Sequence, residues 1–295
     1  MRSSLVIALE ALPDNLDCLH SQPYPVIAYG EGENANADVV VANLMEAEVL
    51  ERRVELFPQS SMTLVQVLRS TECLSVEQGL DIESLAYSVL QSGKEFSAWK
   101  SQREAVTEIP KQQGEALRLV RKANVLEGVL NRPELRNSIT VEMRDALIEA
   151  LELLQLDNSI EIFRLSGEGD CFSVGGELRE FGTAPDPLTA HWVRSVCSPA
   201  RMFARLSQRI HCFVHGACLG SGIELPAFAS HLVAHPKSYF QLPELTFGLI
   251  PGAGGTVSVS RRIGRQKTAW LVLSGKRINA QTALAWGLVD ELLHV

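Results

Sequence analysis

Two glutamates twenty positions apart, Glu224 and Glu244, are the side chains best placed to do acid/base chemistry in this 295-residue sequence. Each lies beside backbone that glycine or proline forces into a particular shape. Arg209–Val214 is a largely apolar run of buried-strand length. The glycine-rich Gly216–Gly222 turn follows, and an apolar helix opens after it. A helix start presents unpaired N–H groups and the positive end of the peptide dipoles, where negative charge developing on an oxygen is stabilised. Glu224 falls in that first turn and flanks whatever the N–H groups hold. Pro243 fixes the backbone before Glu244, and Leu249–Thr256 (LIPGAGGT) reads as a second glycine turn into a helix. Two carboxylates beside one oxyanion site would serve acid/base catalysis on a carbonyl compound. Spacing alone leaves a plainer reading open: glycines often precede helices, and 35 acidic residues place glutamates in many settings.

The elements that must position these groups begin well upstream. Ala116–Val120 and Val125–Leu130 read as paired strands. Thr140 caps a helix whose apolar stripe is Met143, Leu147, Ala150, Leu151 and Leu154, and Ile160–Leu165 is a strand followed by a Gly167–Gly176 loop. With the Leu130–Glu134 (LNRPE) and Asn137-Ser138 turns, the Gly169–Leu178 loop (GDCFSVGGEL) and the two glycine turns, this order resembles the crotonase superfamily, whose best-known member is enoyl-CoA hydratase. The resemblance covers about Glu115 to the C-terminus. It implies a core built as a β-β-α spiral, and an oxyanion hole made by the backbone N–H groups of Gly176 and Ser221. It also implies catalytic Glu224 and Glu244, and substrate contacts at Val174, Gly175, Gly220, Gly252 and Arg136, the last beside a coenzyme A phosphate. The family's glycine is Ser221 here and its aspartate is Glu177; only the backbone is required at both places.

The resemblance implies hydration of an enoyl-CoA, or the reverse dehydration, on an acyl-CoA or acyl-carrier thioester. Coenzyme A would enter as part of the substrate and no other cofactor is called for. The partner implied is the chain itself, as a homotrimer or hexamer. Family members continue past the Gly287–Asp290 motif into helices that cover the coenzyme, so the usual C-terminal helical subdomain is expected to be absent. That absence motivates a second reading, a non-catalytic or assembly subunit of crotonase fold. Isomerase, decarboxylase and cofactor-free oxygenase reactions use the same fold and oxyanion hole, and form a third.

Length and composition fit a two-domain globular protein, with 46% hydrophobic and 21% charged residues. Net charge is −8 and no dense basic cluster occurs, which argues against nucleic acid as a partner. The six cysteines form no C-x-x-C pair and read as reduced thiols of a cytoplasmic protein. His211, His215, His231 and His235 recur at four-residue spacing, but a glycine turn separates the pairs and no metal site is predicted. Leu5–Leu9 is too short for a membrane span or a convincing signal peptide.

Residues 1–112 read as an N-terminal α/β extension and 113–295 as the crotonase-like core, with the boundary at Gln112-Gln113-Gly114. Three apolar runs, Leu5–Leu9, Pro25–Tyr29 and Asp38–Ala42, predict a small parallel sheet. The segment from Met45 to about 105 is mainly helical, broken at Pro58, with a capping box at Ser75 and Gln78. Leu85, Val89, Phe96 and Trp99 fall close to one helical face, which predicts core or subunit contact. Ser84–Phe96 faintly resembles the N-terminal extension of the dihydroxyphenylacetyl-CoA dioxygenases, a cofactor-free crotonase branch that lacks the acid at Glu224. Between the oxyanion loop and the first glutamate, Pro185–Gln208 carries a stripe of Trp192, Val196, Phe203 and Leu206. Either acyl-pocket lining, as the resemblance implies, or plain core packing would account for it.

Overall fold

A computed structural model describes residues 3–13, 17–103, 108–110 and 113–293; Gln112, at the expected domain boundary, lies outside them. The N-terminal apolar runs form three parallel strands, β1 (Leu5–Ala8), β2 (Val26–Tyr29) and β3 (Val39–Val41), in that spatial order, with helix α1 (Asp17–Ser21) between the first two. Edge strand β1 is half-buried. Asp38 joins this sheet to distant helices: it accepts from the Val26 N–H at 2.9 Å and from Arg69 Nε at 2.9 Å, and pairs with Arg265 at 3.1 Å.

Four helices follow: α2 (Leu44–Leu56), α3 (Pro58–Thr71), α4 (Val76–Gln91) and α5 (Lys94–Ser101). Asn43 caps α2, Pro58 opens α3 at the position where a missing N–H costs nothing, and both bonds of the Ser75/Gln78 capping box are made. The face of α4 expected to make core or subunit contact lies outside the core of the chain. Leu85 and Val89 are 48% and 69% exposed, while Glu83, Ser84, Tyr87 and Ser88 are buried. Gly93, a residue expected to bend or end the helix, follows the end of α4 and N-caps α5. Phe96 and Trp99 therefore belong to α5, where their rings stack 5.5 Å apart.

The larger part starts with an antiparallel hairpin, β4 (Leu117–Lys122) and β5 (Val125–Leu130). Helix α6 (Val141–Leu156), capped by Thr140 and burying the predicted stripe, then crosses over to β6 (Ile162–Gly167), parallel to β5. Helices α7 (Pro187–Val196) and α8 (Pro199–Arg205) cross to β7 (Ile210–Val214). After β7 the chain turns at Gly216, where φ is +57° and a Cβ would meet the Asp170 carbonyl at 2.2 Å, and enters β8 (Ala217–Leu219) of another sheet. The short helix α9 (Ser221–Glu224) returns it to β9 (His231–Ala234), from which it passes to β10 (Tyr239–Gln241). Successive turns thus lay one strand in each of two sheets, the spiral expected of the core.

The expectation that C-terminal helices are absent is overturned. Helices α10 (Gly255–Ile263), α11 (Arg265–Ser274) and α12 (Ala280–Trp286) occupy this part, with β11 (Ile278–Asn279) before α12 and β12 (Glu291–Leu292) after it. Gly254, Gly264, Gly275 and Gly287 all have positive φ and bound the helices one by one. The six-stranded sheet runs β12-β9-β7-β6-β5-β4 and the small sheet β11-β10-β8. One hydrophobic cluster extends from Ile27 to Val289, so α3 and α4 are packed into the same core as the spiral. Among the described residues no helix is long and apolar enough to cross a membrane.

Candidate active site

The first glycine turn delivers Glu224 as predicted. Gly220 has φ 49° and ψ −126°, a combination closed to residues with a Cβ, and this sharp exit from β8 starts α9 at Ser221. Glu224, on the single turn of α9, is 2% exposed. Its Oε2 accepts the N–H groups of Ala253 (2.8 Å) and Gly255 (2.9 Å), so the second glycine turn holds the first carboxylate.

Glu244 follows β10 and Pro243 and is 6% exposed, with no hydrogen-bond partner for its Oε2. Both carboxylates converge on Gly220: a Cβ there would sit 2.7 Å from Oε1 of Glu244 and 3.9 Å from Oε1 of Glu224. Burial raises the Glu244 pKa to about 8. Burial, reinforced by the charges of Glu244 and Glu83, raises that of Glu224 well above the usual range against the pull of its two amide donors. Burial thus favours the protonated form of both groups, and carboxyl groups so placed can exchange protons with a substrate.

Ile139 donates to the Gly175 carbonyl and accepts from the Glu177 N–H, which leaves the Gly176 N–H pointing away from that partner. Gly176 and Ser221 line the same cavity as Glu224 and Glu244, about 440 Å³ in volume. Neither amide has a protein acceptor among the described residues. The arrangement can therefore receive a carbonyl oxygen beside two proton-carrying groups. Ser221 Oγ is buried without a partner, consistent with only its backbone being needed there.

The other predicted contacts divide. Gly252 lines the cavity, and Gly220 shapes it from behind the carboxylates. Gly175 and Val174 sit behind the loop: Gly175 has φ +89° and lies so near Leu219 that a Cβ would meet its carbonyl at 2.5 Å, and the Val174 N–H binds the Arg136 carbonyl. Arg136 is on a left-handed turn and is not a cavity residue. Glu177 also lines the cavity. Arg179, aided by the Ser138 hydroxyl, holds its pKa down to about 2.

Sequence reasoning missed what α4 brings to the site. Glu83 accepts from the Gly254 N–H (2.7 Å), the Thr256 N–H (2.9 Å) and Thr256 Oγ1 (2.6 Å). Residues 253 to 256 thus alternate between Glu224 and Glu83. Desolvation raises Glu83 to about 7 despite those donors. Tyr87 packs on Gly252, where a Cβ would come within 2.4 Å of its ring, and lines the cavity together with Gln91 and, from α7, Arg194. A glutamate amid serines on a predicted helix was the available signal.

Strands alternating between two sheets and joined by helical crossovers, with a buried carboxylate pair after them, make a crotonase-type core. Residues 120–294 match the enoyl-CoA hydratase/isomerase family, and the chain belongs to that family. It is 34% identical over 175 residues to 2,3-dehydroadipyl-CoA hydratase of Escherichia coli (strain K12), covering 58% of this chain and 67% of that one. It is 32% identical over 173 residues to 1,2-epoxyphenylacetyl-CoA isomerase of the same organism, covering 57% and 66%. The chain therefore spans about two thirds of these curated relatives. Among solved structures, enoyl-CoA hydratase from Thermoplasma volcanium GSS1 superposes with a TM-score of 0.56 at 30% identity, over 61% of this chain and 72% of that one.

Proposed function

We propose that the protein hydrates an enoyl thioester, or dehydrates the corresponding 3-hydroxyacyl thioester. The observation that carries this is the convergence of Glu224 and Glu244 on Gly220, in the cavity that also receives the Gly176 and Ser221 amides. The thioester oxygen accepts from those two N–H groups, each worth ~3 kcal/mol once the oxygen becomes an enolate. Glu224 in its ionised form, which its two amide partners favour and its burial opposes, takes a proton from water as the oxygen adds to the β-carbon. The displaced electron pair moves onto the thioester oxygen. It returns to the α-carbon as Glu244, whose buried Oε2 has no donor to favour the anion, gives up its proton.

A non-catalytic role would follow from missing C-terminal helices, and the presence of α10 to α12 removes that motive. Isomerisation is the second reading: it needs one of the two carboxylates, and a relative bears an isomerase name. The oxygenase reading rests on the likeness of Ser84–Phe96 to the dioxygenase extension and requires oxygen uptake. We also propose a division into 1–112 and 113–295, supported by the N-terminal sheet and its small separate cluster of Leu12, Leu19, Val26, Ala28 and Ala37, with α3 and α4 sharing the core of the larger part. The deciding experiment follows loss of enoyl absorbance over a panel of enoyl-CoA substrates, with an oxygen electrode alongside. Hydration abolished in both Glu224→Gln and Glu244→Gln supports the paired mechanism. Double-bond migration that survives Glu224→Gln, or oxygen uptake, replaces it.

A further inference from the structure

Arg194 on α7 is a cavity residue turned against α4, where its partners are neutral. Nε contacts Ser84 Oγ at 3.3 Å, Nη1 contacts Gln91 Oε1 at 3.3 Å, and Nη2 reaches the Ser84 carbonyl at 3.5 Å and the Ser88 hydroxyl. The guanidinium carbon lies 4.4 Å from the centre of the Tyr87 ring. No carboxylate oxygen comes within 4.0 Å among the described residues, whereas buried Arg69, Arg132 and Arg265 each hold one. Glu83 acts on Arg194 only at longer range, both its oxygens being engaged by the Gly254–Thr256 turn. An arginine stays charged whatever its surroundings, and a desolvated charge calls for a counter-ion. The contacts leave one Nη1 hydrogen without an acceptor, and the Tyr87 hydroxyl has no protein partner among the described residues. Gln91, bonded to Arg194, and Ser198 add polar groups to a cavity wall that is otherwise largely apolar.

We infer that the acyl group accepted here carries a carboxylate at its far end, received by Arg194 with the Tyr87 hydroxyl beside it. The inference rests on the acyl-thioester reading, and gives the substrate class as half-thioesters of dicarboxylic acids. Within each pair of equal chain length the coenzyme A portion is common, so its phosphates cancel from the comparison.

The test is calorimetric binding of saturated thioesters, which needs no turnover: glutaryl-CoA against pentanoyl-CoA and adipyl-CoA against hexanoyl-CoA. The expected result is tenfold or tighter binding of the carboxylated member in at least one pair. Arg194→Gln should bring that ratio to about one, and Arg194→Lys should leave an intermediate value. A ratio near or below one in both pairs overturns the inference with the wild-type protein alone, whatever the folding of the variants. So does a ratio that survives in Arg194→Gln. If the ratio holds while no enoyl thioester is hydrated, the hydratase reading falls and this one stands; if no thioester binds, both fall.

Discussion

Replacing Gly220 by alanine tests the geometry of the carboxylate pair most directly. The backbone at φ 49° and ψ −126° is open to glycine alone, and holding alanine there costs ~1–3 kcal/mol. The new Cβ would also stand 2.7 Å from Oε1 of Glu244. Ordinary van der Waals contact begins at 3.4 Å, about 0.7 Å farther, so the carboxylate or the turn must move. Misplacement by ~1 Å costs catalysis about 100-fold, so a shift of this size costs about tenfold or more. Gly264→Ala is the control: it has φ +84° with nothing within 4 Å of the added carbon, so it carries backbone strain and no collision. Both variants should lower Tm by roughly 2–4 °C per kcal/mol of strain. Only Gly220→Ala should also lower kcat/KM for enoyl-thioester hydration, by about tenfold or more. Differential scanning calorimetry and initial rates on the two variants decide the matter. Equal kcat/KM in Gly220→Ala, Gly264→Ala and the wild type would refute the placement of Glu244 against Gly220.

The raised carboxylates predict how stability varies with pH. Glu83 (about 7), Glu244 (about 8) and Glu224 all bind protons more tightly folded than at the ordinary value of 4.5. Their contribution is therefore full below about 4.5 and is lost as pH rises through 8. Urea unfolding at pH 5, 6.5 and 8 should show a declining free energy, and Glu83→Gln should flatten the lower half of that decline; a rise with pH would contradict the burial of these groups. Asp38→Ala leaves Arg69 and Arg265 buried without their shared anion and should cost ~3–5 kcal/mol. A loss below 1 kcal/mol in the same assay would mean that the two guanidiniums find new acceptors.

Much of the spiral was legible because its signals are local. Thr140 and the stripe Met143 to Leu154 specify α6 without reference to anything else, and the turns at Gly216–Gly222 and Gly252–Gly255 announce their helices. Glu224 and Glu244 stood out because a glycine turn and a proline flank them, whereas Gly176 and Ser221 were named through the family resemblance of their loops. Glu83, Tyr87 and Arg194 could not, since their importance comes from contacts more than 100 residues apart in sequence. On α4 the apolar periodicity was misleading as well, because Leu85 and Val89 face outward while a polar face is buried. For Arg136 the local turn resemblance goes with a left-handed backbone and says nothing about where the guanidinium goes.

The shared grip on residues 253 to 256 also orders events during synthesis. Glu83 precedes its partner Gly254 by 171 positions. At ribosomal rates of ~5–20 residues per second, α4 waits about 9 to 34 seconds before the turn it holds has been made. Throughout that interval Glu83 is a hydrated anion on a nascent segment. Its desolvation, and with it the last seam of the cavity, must come after α10 has emerged, so a chain stopped before Gly254 would contain the Gly169–Leu178 loop and Glu224 but no finished site.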